Sequence, residues 1–167
     1  MATAKTPMEL FVGLSGVLTG IASSQLSPQL DPINVKQEYF DAANTKAPAD
    51  FQNLLAIYGE NQTSDPATIA NIVFNQSGAN IKYLARTVML MWYLGAWYDP
   101  ADLAKYDVPT PPTAPINSTV ISANAYTQGW AWNVAQAHPM GFSNFTFGYW
   151  SQNPPTLADF VGTGGEA

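Results

Sequence analysis

Few side chains of this 167-residue chain are equipped for chemistry, and the best of them sit late in the sequence. Its single histidine, His138, is the one candidate general base. Set beside Ser122 or Ser143 and an aspartate, it would make a hydrolase, with the imidazole taking the hydroxyl proton as the oxygen attacks. Neither serine lies in a G-x-S-x-G elbow, the strained turn that exposes such a nucleophile. A histidine followed by Pro139 at a chain reversal reads more simply as a structural hydrogen-bonding group. Metal binding has little to build on: one histidine, no cysteine and scattered carboxylates do not make an N/O/S cage. Asp99 and Asp102 are close in sequence, but helix capping accounts for both. Gly13, Gly16 and Gly20 match neither a dinucleotide fingerprint nor a P-loop, and small residues at that spacing let another helix approach.

Rings are the remaining chemical resource. "AHPMGFSNFTFGYW", residues 137–150, holds five aromatic side chains, two glycines and no formal charge. Exposed rings can stack on sugar faces. These are spaced too irregularly for one sugar platform, so contact with a partner or a core is the stronger expectation. Four N-x-S/T sequons, at Asn61, Asn75, Asn117 and Asn144, are what an Asn- and Thr-rich chain produces by chance.

Composition narrows the partner. Charged residues are 11% of the chain, against about a quarter in ordinary domains. The net charge is −6 and there are six basic residues, too few to clamp a phosphate backbone or an anionic membrane surface. No apolar run reaches the roughly 18 residues of a membrane span. From Val108 through Ala158 there is no Asp, Glu, Lys or Arg. Interface centres have this profile, poor in charge and rich in Trp, Tyr, Phe and Met.

The elements that must position these residues read as helices cut by Pro and Gly. Residues 6–20 open with Thr6, Pro7 and Glu9, a capping box around a first-turn proline. Lys5 and the apolar run after it also imitate a signal peptide cleaved after Ala22, but Glu9 and the cap favour a helix of the mature protein. Further helices are predicted at 31–44, capped by Asp31, at 48–59, stopped by Gly59, and at 64–76, capped by Asp65. The longest is predicted over 79–97. In it Ile81, Leu84, Ala85 and Val88 face the core and Lys82 and Arg86 face water. From Val88 to Trp97 every residue is apolar or glycine, so this half must be covered on all sides, by the domain or by a partner. A helical turn at 100–105, a proline-rich connector and a sixth helix at 122–136 follow, the last weakened by Gly129. The fold expected is mainly α, a compact bundle of five to six helices with an extended aromatic-rich C-terminal arm. Residues 1–107 form the helical core, and 108–167 the connector, sixth helix and arm of the same domain.

"LFVGLSGVLTG", "TVMLMWYLGAWYD" and "YTQGWAWNVAQAHPMGFSNFTFGYWSQNPP" resemble the small subunit of bacterial membrane-bound FAD-dependent sugar and polyol dehydrogenases, such as those for sorbitol, fructose and glucose. The resemblance runs from about Met8 to Val161. It implies a helical, non-catalytic subunit with no cofactor of its own. Its large partner would be a flavoprotein of the glucose-methanol-choline type that holds the FAD, and in many members a haem c subunit takes the electrons. It implies a periplasmic location and help in exporting the folded flavoprotein. It also implies partner contact around Trp92, Tyr93, Gly95 and Trp97, and from His138 to Trp150. The interface residues expected are therefore Trp92, Tyr93, Trp97, Trp130, His138, Pro139, Met140, Phe142, Phe145, Phe147, Tyr149 and Trp150. The chain departs from the family pattern in having no twin-arginine segment, which implies a trimmed form or another export route. Without cysteine, no covalent link to a large subunit can form. A free-standing carbohydrate-binding module and a hydrolase built on His138 stay open as alternatives.

Overall fold

Thr6 starts the first helix as its sequence requires. Its hydroxyl accepts from the Glu9 amide at 3.2 Å, and Glu9 accepts from the Thr6 amide at 2.7 Å. The computed structural model describes residues 5–139. It is mainly helical, and the only sheet among the described residues has two strands. In chain order the elements are α1 (Pro7–Thr19), α2 (Ser23–Leu26), α3 (Val35–Lys46), α4 (Pro48–Asn61) and α5 (Pro66–Asn71). A π-helical turn, Ile72–Gln76, leads into α6 (Ala79–Leu94). Then come β1 (Ala96–Tyr98), α7 (Pro100–Tyr106), β2 (Ser118–Val120), α8 (Ala123–Thr127) and α9 (Trp130–Val134).

The long helix α6 is the hub, packing against α1, α3, α4, α7, α8, α9 and β1. Its Ile81, Leu84, Ala85 and Val88 are buried, as their helical spacing predicts, and Met91 and Trp92 continue the same face. Trp92 fits among Phe11, stacked at 6.2 Å between centroids, and Tyr39, edge-on at 4.8 Å. Phe11 in turn meets Phe40 and Phe51 edge-on. Burying a large side chain of this kind contributes about 1.5–3 kcal/mol, so this cluster is the main apolar anchor of the bundle. At Gly13 an added Cβ would fall 2.3 Å from the Tyr58 hydroxyl. That small residue is what lets α4 come close to α1.

Several expected boundaries shift, each for a local reason. Asp31 does not cap a helix at Pro32. Its carboxylate accepts from the Asn34 amide and pairs with Lys36 at 2.6 Å, Asn34 takes a left-handed conformation, and α3 begins at Val35. Gly59 does not stop α4, which runs on to Asn61. The helix expected over 79–97 ends at Leu94, where Gly95 takes φ +66° and donates to the Met91 carbonyl as a left-handed cap. Ala96, Trp97 and Tyr98 then form β1, which pairs antiparallel with β2, Ala96 opposite Val120 and Tyr98 opposite Ser118. The sixth helix expected over 122–136 is two short helices, α8 and α9, divided at Gln128 and Gly129.

Candidate partner interface

Residues 117–136 form a strap that is held on its inner side by hydrogen bonds to Gly95, Tyr39 and Glu38. At Gly95 a Cβ would fall 2.1 Å from the Ala125 carbonyl oxygen. Only glycine permits both that approach and the positive φ. The Ile121 amide donates to the Gly95 carbonyl at 3.0 Å and extends the β1–β2 pairing by one bond. Tyr39, fully buried, donates its hydroxyl to the Ala125 carbonyl at 3.2 Å. Burial, with a smaller contribution from Glu38, pushes that phenol far above its ordinary pKa, so it is fixed as a donor. Ser122 caps α8 by accepting from the Ala125 amide at 2.9 Å, and its hydroxyl donates to Glu38. Asn124 also donates to Glu38, at 3.1 Å. Gly129 lies so close to α6 that a Cβ there would sit 2.9 Å from the Tyr93 carbonyl. Trp132 donates its indole N–H to the Tyr126 carbonyl at 2.8 Å, with the two rings edge-on at 5.4 Å.

Outward, the strap offers carbonyls, amides, hydroxyls and aliphatic groups but no charge. Of residues 108–139 only Ala125, Gly129 and Pro139 are buried. Val120 is 54% exposed and Val134 45%, and Leu94, at the end of α6 beside Gly129, is 39% exposed. The exposed side of the strap is therefore uncharged over its whole length, with an aliphatic side chain at each end and at the α6 terminus.

The residues expected at an interface fall into four groups. Trp92, 1% exposed, and Trp97, 6% exposed, are part of the chain's own core and present no face to a partner. The Trp92 position follows from its place on the buried stripe of α6. Trp97 is turned inward by β1, with Lys46 over its ring at 5.7 Å. Most of the apolar half of α6 is thus wrapped by the domain itself, and Leu94 is its exposed residue. Tyr93 and Trp130 are half-buried at the edge of the core, and Tyr93 donates its hydroxyl to the Thr19 carbonyl at 2.8 Å. His138 is exposed, with Nδ1 3.1 Å from the Pro139 carbonyl, while Pro139 is buried. Met140, Phe142, Phe145, Phe147, Tyr149 and Trp150 lie outside the described residues.

The geometry also bears on the alternatives. Ser122 is engaged as an N-cap and as a donor to Glu38, which is a structural role. An open groove of about 440 Å³ lies between α3 and β2, walled by Glu38, Asp41, Thr45, Lys46 and Val120 among others. None of its lining residues carries a ring on which a pyranose could stack. Among the described residues no three His, Asp or Glu side chains gather to hold a metal ion. No helix there is long and apolar enough to cross a membrane. Glu38 and Tyr39, which anchor the strap from more than 80 residues away in sequence, were not signalled by any local motif. No protein-family model, curated protein or solved structure matches this chain.

Proposed function

We propose that this chain is the non-catalytic small subunit of an FAD-dependent sugar or polyol dehydrogenase, that it stabilises the catalytic flavoprotein and that it assists that protein's export to the periplasm. The observation that carries this is the strap. Its residues, 117–136, include no Asp, Glu, Lys or Arg, yet only two of them, Ala125 and Gly129, are buried. Water-facing surface of a solitary protein is normally dotted with charge, and an uncharged surface of amides, hydroxyls and aliphatic groups is suited to being covered. The motifs "TVMLMWYLGAWYD" and "AHPMGFSNFTFGYW" add the nature of the partner, through their likeness to the flavin-dependent dehydrogenase small subunits. Obligate interfaces of this kind bury on the order of 2,000 Å² or more.

The test is co-expression with an FAD-dependent dehydrogenase flavoprotein, sought first in the neighbouring reading frames. The flavoprotein is expected to accumulate in the periplasm, loaded with FAD, only when this chain is present. His138→Ala and Trp150→Ala are each expected to reduce co-purification. A flavoprotein equally abundant, loaded and exported without this chain would overturn the proposal. Sugar binding by the isolated chain, measured by titration, would favour a carbohydrate-binding module instead.

A further inference from the structure

β2 has one side paired and one side bare. Its register with β1 sets Ala96 opposite Val120, Trp97 opposite Thr119 and Tyr98 opposite Ser118. The Ile121 amide donates to the Gly95 carbonyl, so the next pair out is a hydrogen-bonded one. Antiparallel pairs alternate. Thr119 therefore turns its N–H and C=O toward β1, and Ser118 and Val120 turn theirs away from it. Among the described residues nothing hydrogen-bonds to the main chain of Ser118 or Val120. All three residues of the strand are exposed, and an open groove, not a covering element, separates β2 from α3. Edge strands are normally closed to further pairing by a charge, a proline or a bulge. From Ile116 to Ser122 there is no charge and no proline, and the register runs without a bulge.

The strand that fits this edge is β2 of a second copy. About a two-fold axis through Thr119, Ser118 of one copy falls opposite Val120 of the other, and each such pair exchanges both N–H···O bonds. Thr119 then faces Thr119 across the axis. Charge favours this face as well. A net charge of −6 sets copies of the chain against each other over most of their surface. The strap escapes that repulsion, because no ionic residue stands between Asp107 and Asp159. Nearest to β2, the groove brings the carboxylates of Glu38 and Asp41 together with the Lys46 ammonium. We propose that the chain by itself forms a two-fold dimer in which the outer edges of β2 pair, joining the two-stranded sheets of both copies into one of four strands. This goes beyond the subunit reading and does not depend on it. A flavoprotein on the strap and a second copy on β2 exclude one another, so the dimer is a state of the chain alone.

The test is sedimentation of the full chain, with no other protein present, from about 5 µM to about 500 µM. So short a strand makes a small interface, so the mass is expected to rise with concentration from 18.0 kDa toward twice that value and to stop there. Ser118→Pro removes an N–H that β1 does not use, at the first position of an edge strand, where proline is tolerated. It is expected to weaken the dimer about tenfold or more. Val120→Lys, which keeps every main-chain group, is expected to weaken it too, and the melting temperature of each variant at low concentration separates lost pairing from lost fold. The chain has no cysteine, so Thr119→Cys sets one thiol opposite its own copy. Non-hydrogen-bonded antiparallel pairs hold their Cα atoms about 4.5 Å apart, within disulfide reach. Thr119→Cys is expected to oxidise to a covalent dimer at least about tenfold faster than Asn53→Cys on the exposed side of α4. A chain that stays monomeric at about 500 µM overturns the dimer, as does a mass that grows past two copies. So does a dimer that both β2 variants leave intact and that Thr119→Cys does not trap. None of these results bears on the flavoprotein, whose own test is the co-expression above.

Discussion

The helical region and the strap meet water in different ways. In the helical region ions are used, and four of its six basic side chains are paired: Lys36 with Asp31, Lys105 with Asp102, and Lys82 and Arg86 together on Asp107. Across residues 108–139 the surface is built from neutral polar groups, and attachment to the core rests on the main-chain carbonyls of Gly95 and Ala125 and on the Glu38 carboxylate, which accepts from Ser122 and Asn124. One region is finished as a free surface. The other is finished on the inside only, with neutral groups turned outward, which is the state expected of a surface that a second polypeptide completes.

The sharpest way to break this contrast is at the core. Trp92→Ala removes the indole that stacks on Phe11 and meets Tyr39, and it is expected to cost about 3–5 kcal/mol and to unfold both regions, read by denaturant titration. A smaller loss at Trp92 would mean that the helical region can hold without its aromatic anchor. Gly95→Val should be next in size, on the order of 3 kcal/mol, because the new side chain must occupy the place of the Ala125 carbonyl at a positive φ. Here the strap is expected to detach first, seen as faster amide exchange at residues 121–129 than in α1 and α4. Ser122→Ala removes the α8 cap and the link to Glu38, and about 1 kcal/mol of stability is expected to go with it.

The smallest expected effect separates the two regions by pH. Hydrogen bonds from Lys82 and then Tyr83, with Arg86 close by, hold the Asp107 carboxyl below the ordinary carboxylate range. Since the folded state lowers this pKa, its stabilising contribution is complete above the unfolded value near 3.8 and is lost as pH falls through the folded one. Acid is therefore expected to free the start of the proline connector, and Asp107→Asn is expected to reduce the melting-temperature difference between pH 7 and pH 3, the remainder coming from Glu9, Asp31 and Asp65, whose carboxyls are lowered too. An unchanged difference would place the acid response elsewhere.

Much of the helical region was legible because its signals are local. The Thr6–Glu9 box, Asp65 before Pro66 and Asp99 before Pro100 each place a side-chain acceptor within three residues of the amide it caps. The stripe from Ile81 to Val88 is equally local. What could not be read depends on contacts far apart in the chain. Nothing near Gly95 announces that Ala125 will lie against it, so the helix was expected to continue to Trp97. The β1–β2 pairing joins residues some twenty positions apart with no turn signature between them. For the same reason Trp92 and Trp97 looked like partner contacts: the sequence could show that they need cover, but not that α1, α3 and the strap provide it. The surface itself was more legible, because the lack of charge after Asp107 is visible in composition and the exposure of residues 108–120 agrees with the proline pattern.

The most direct test is hydrogen exchange of the chain alone and with the flavoprotein. On complex formation, amides of residues 117–138 are expected to slow by at least about tenfold, while those on the solvent side of α4 stay unchanged. Val120→Lys and Val134→Lys, both exposed, are expected to abolish that slowing and to leave the stability of the isolated chain within about 0.5 kcal/mol of wild type. A complex that forms with the strap exchanging as fast as in the free chain would contradict the account.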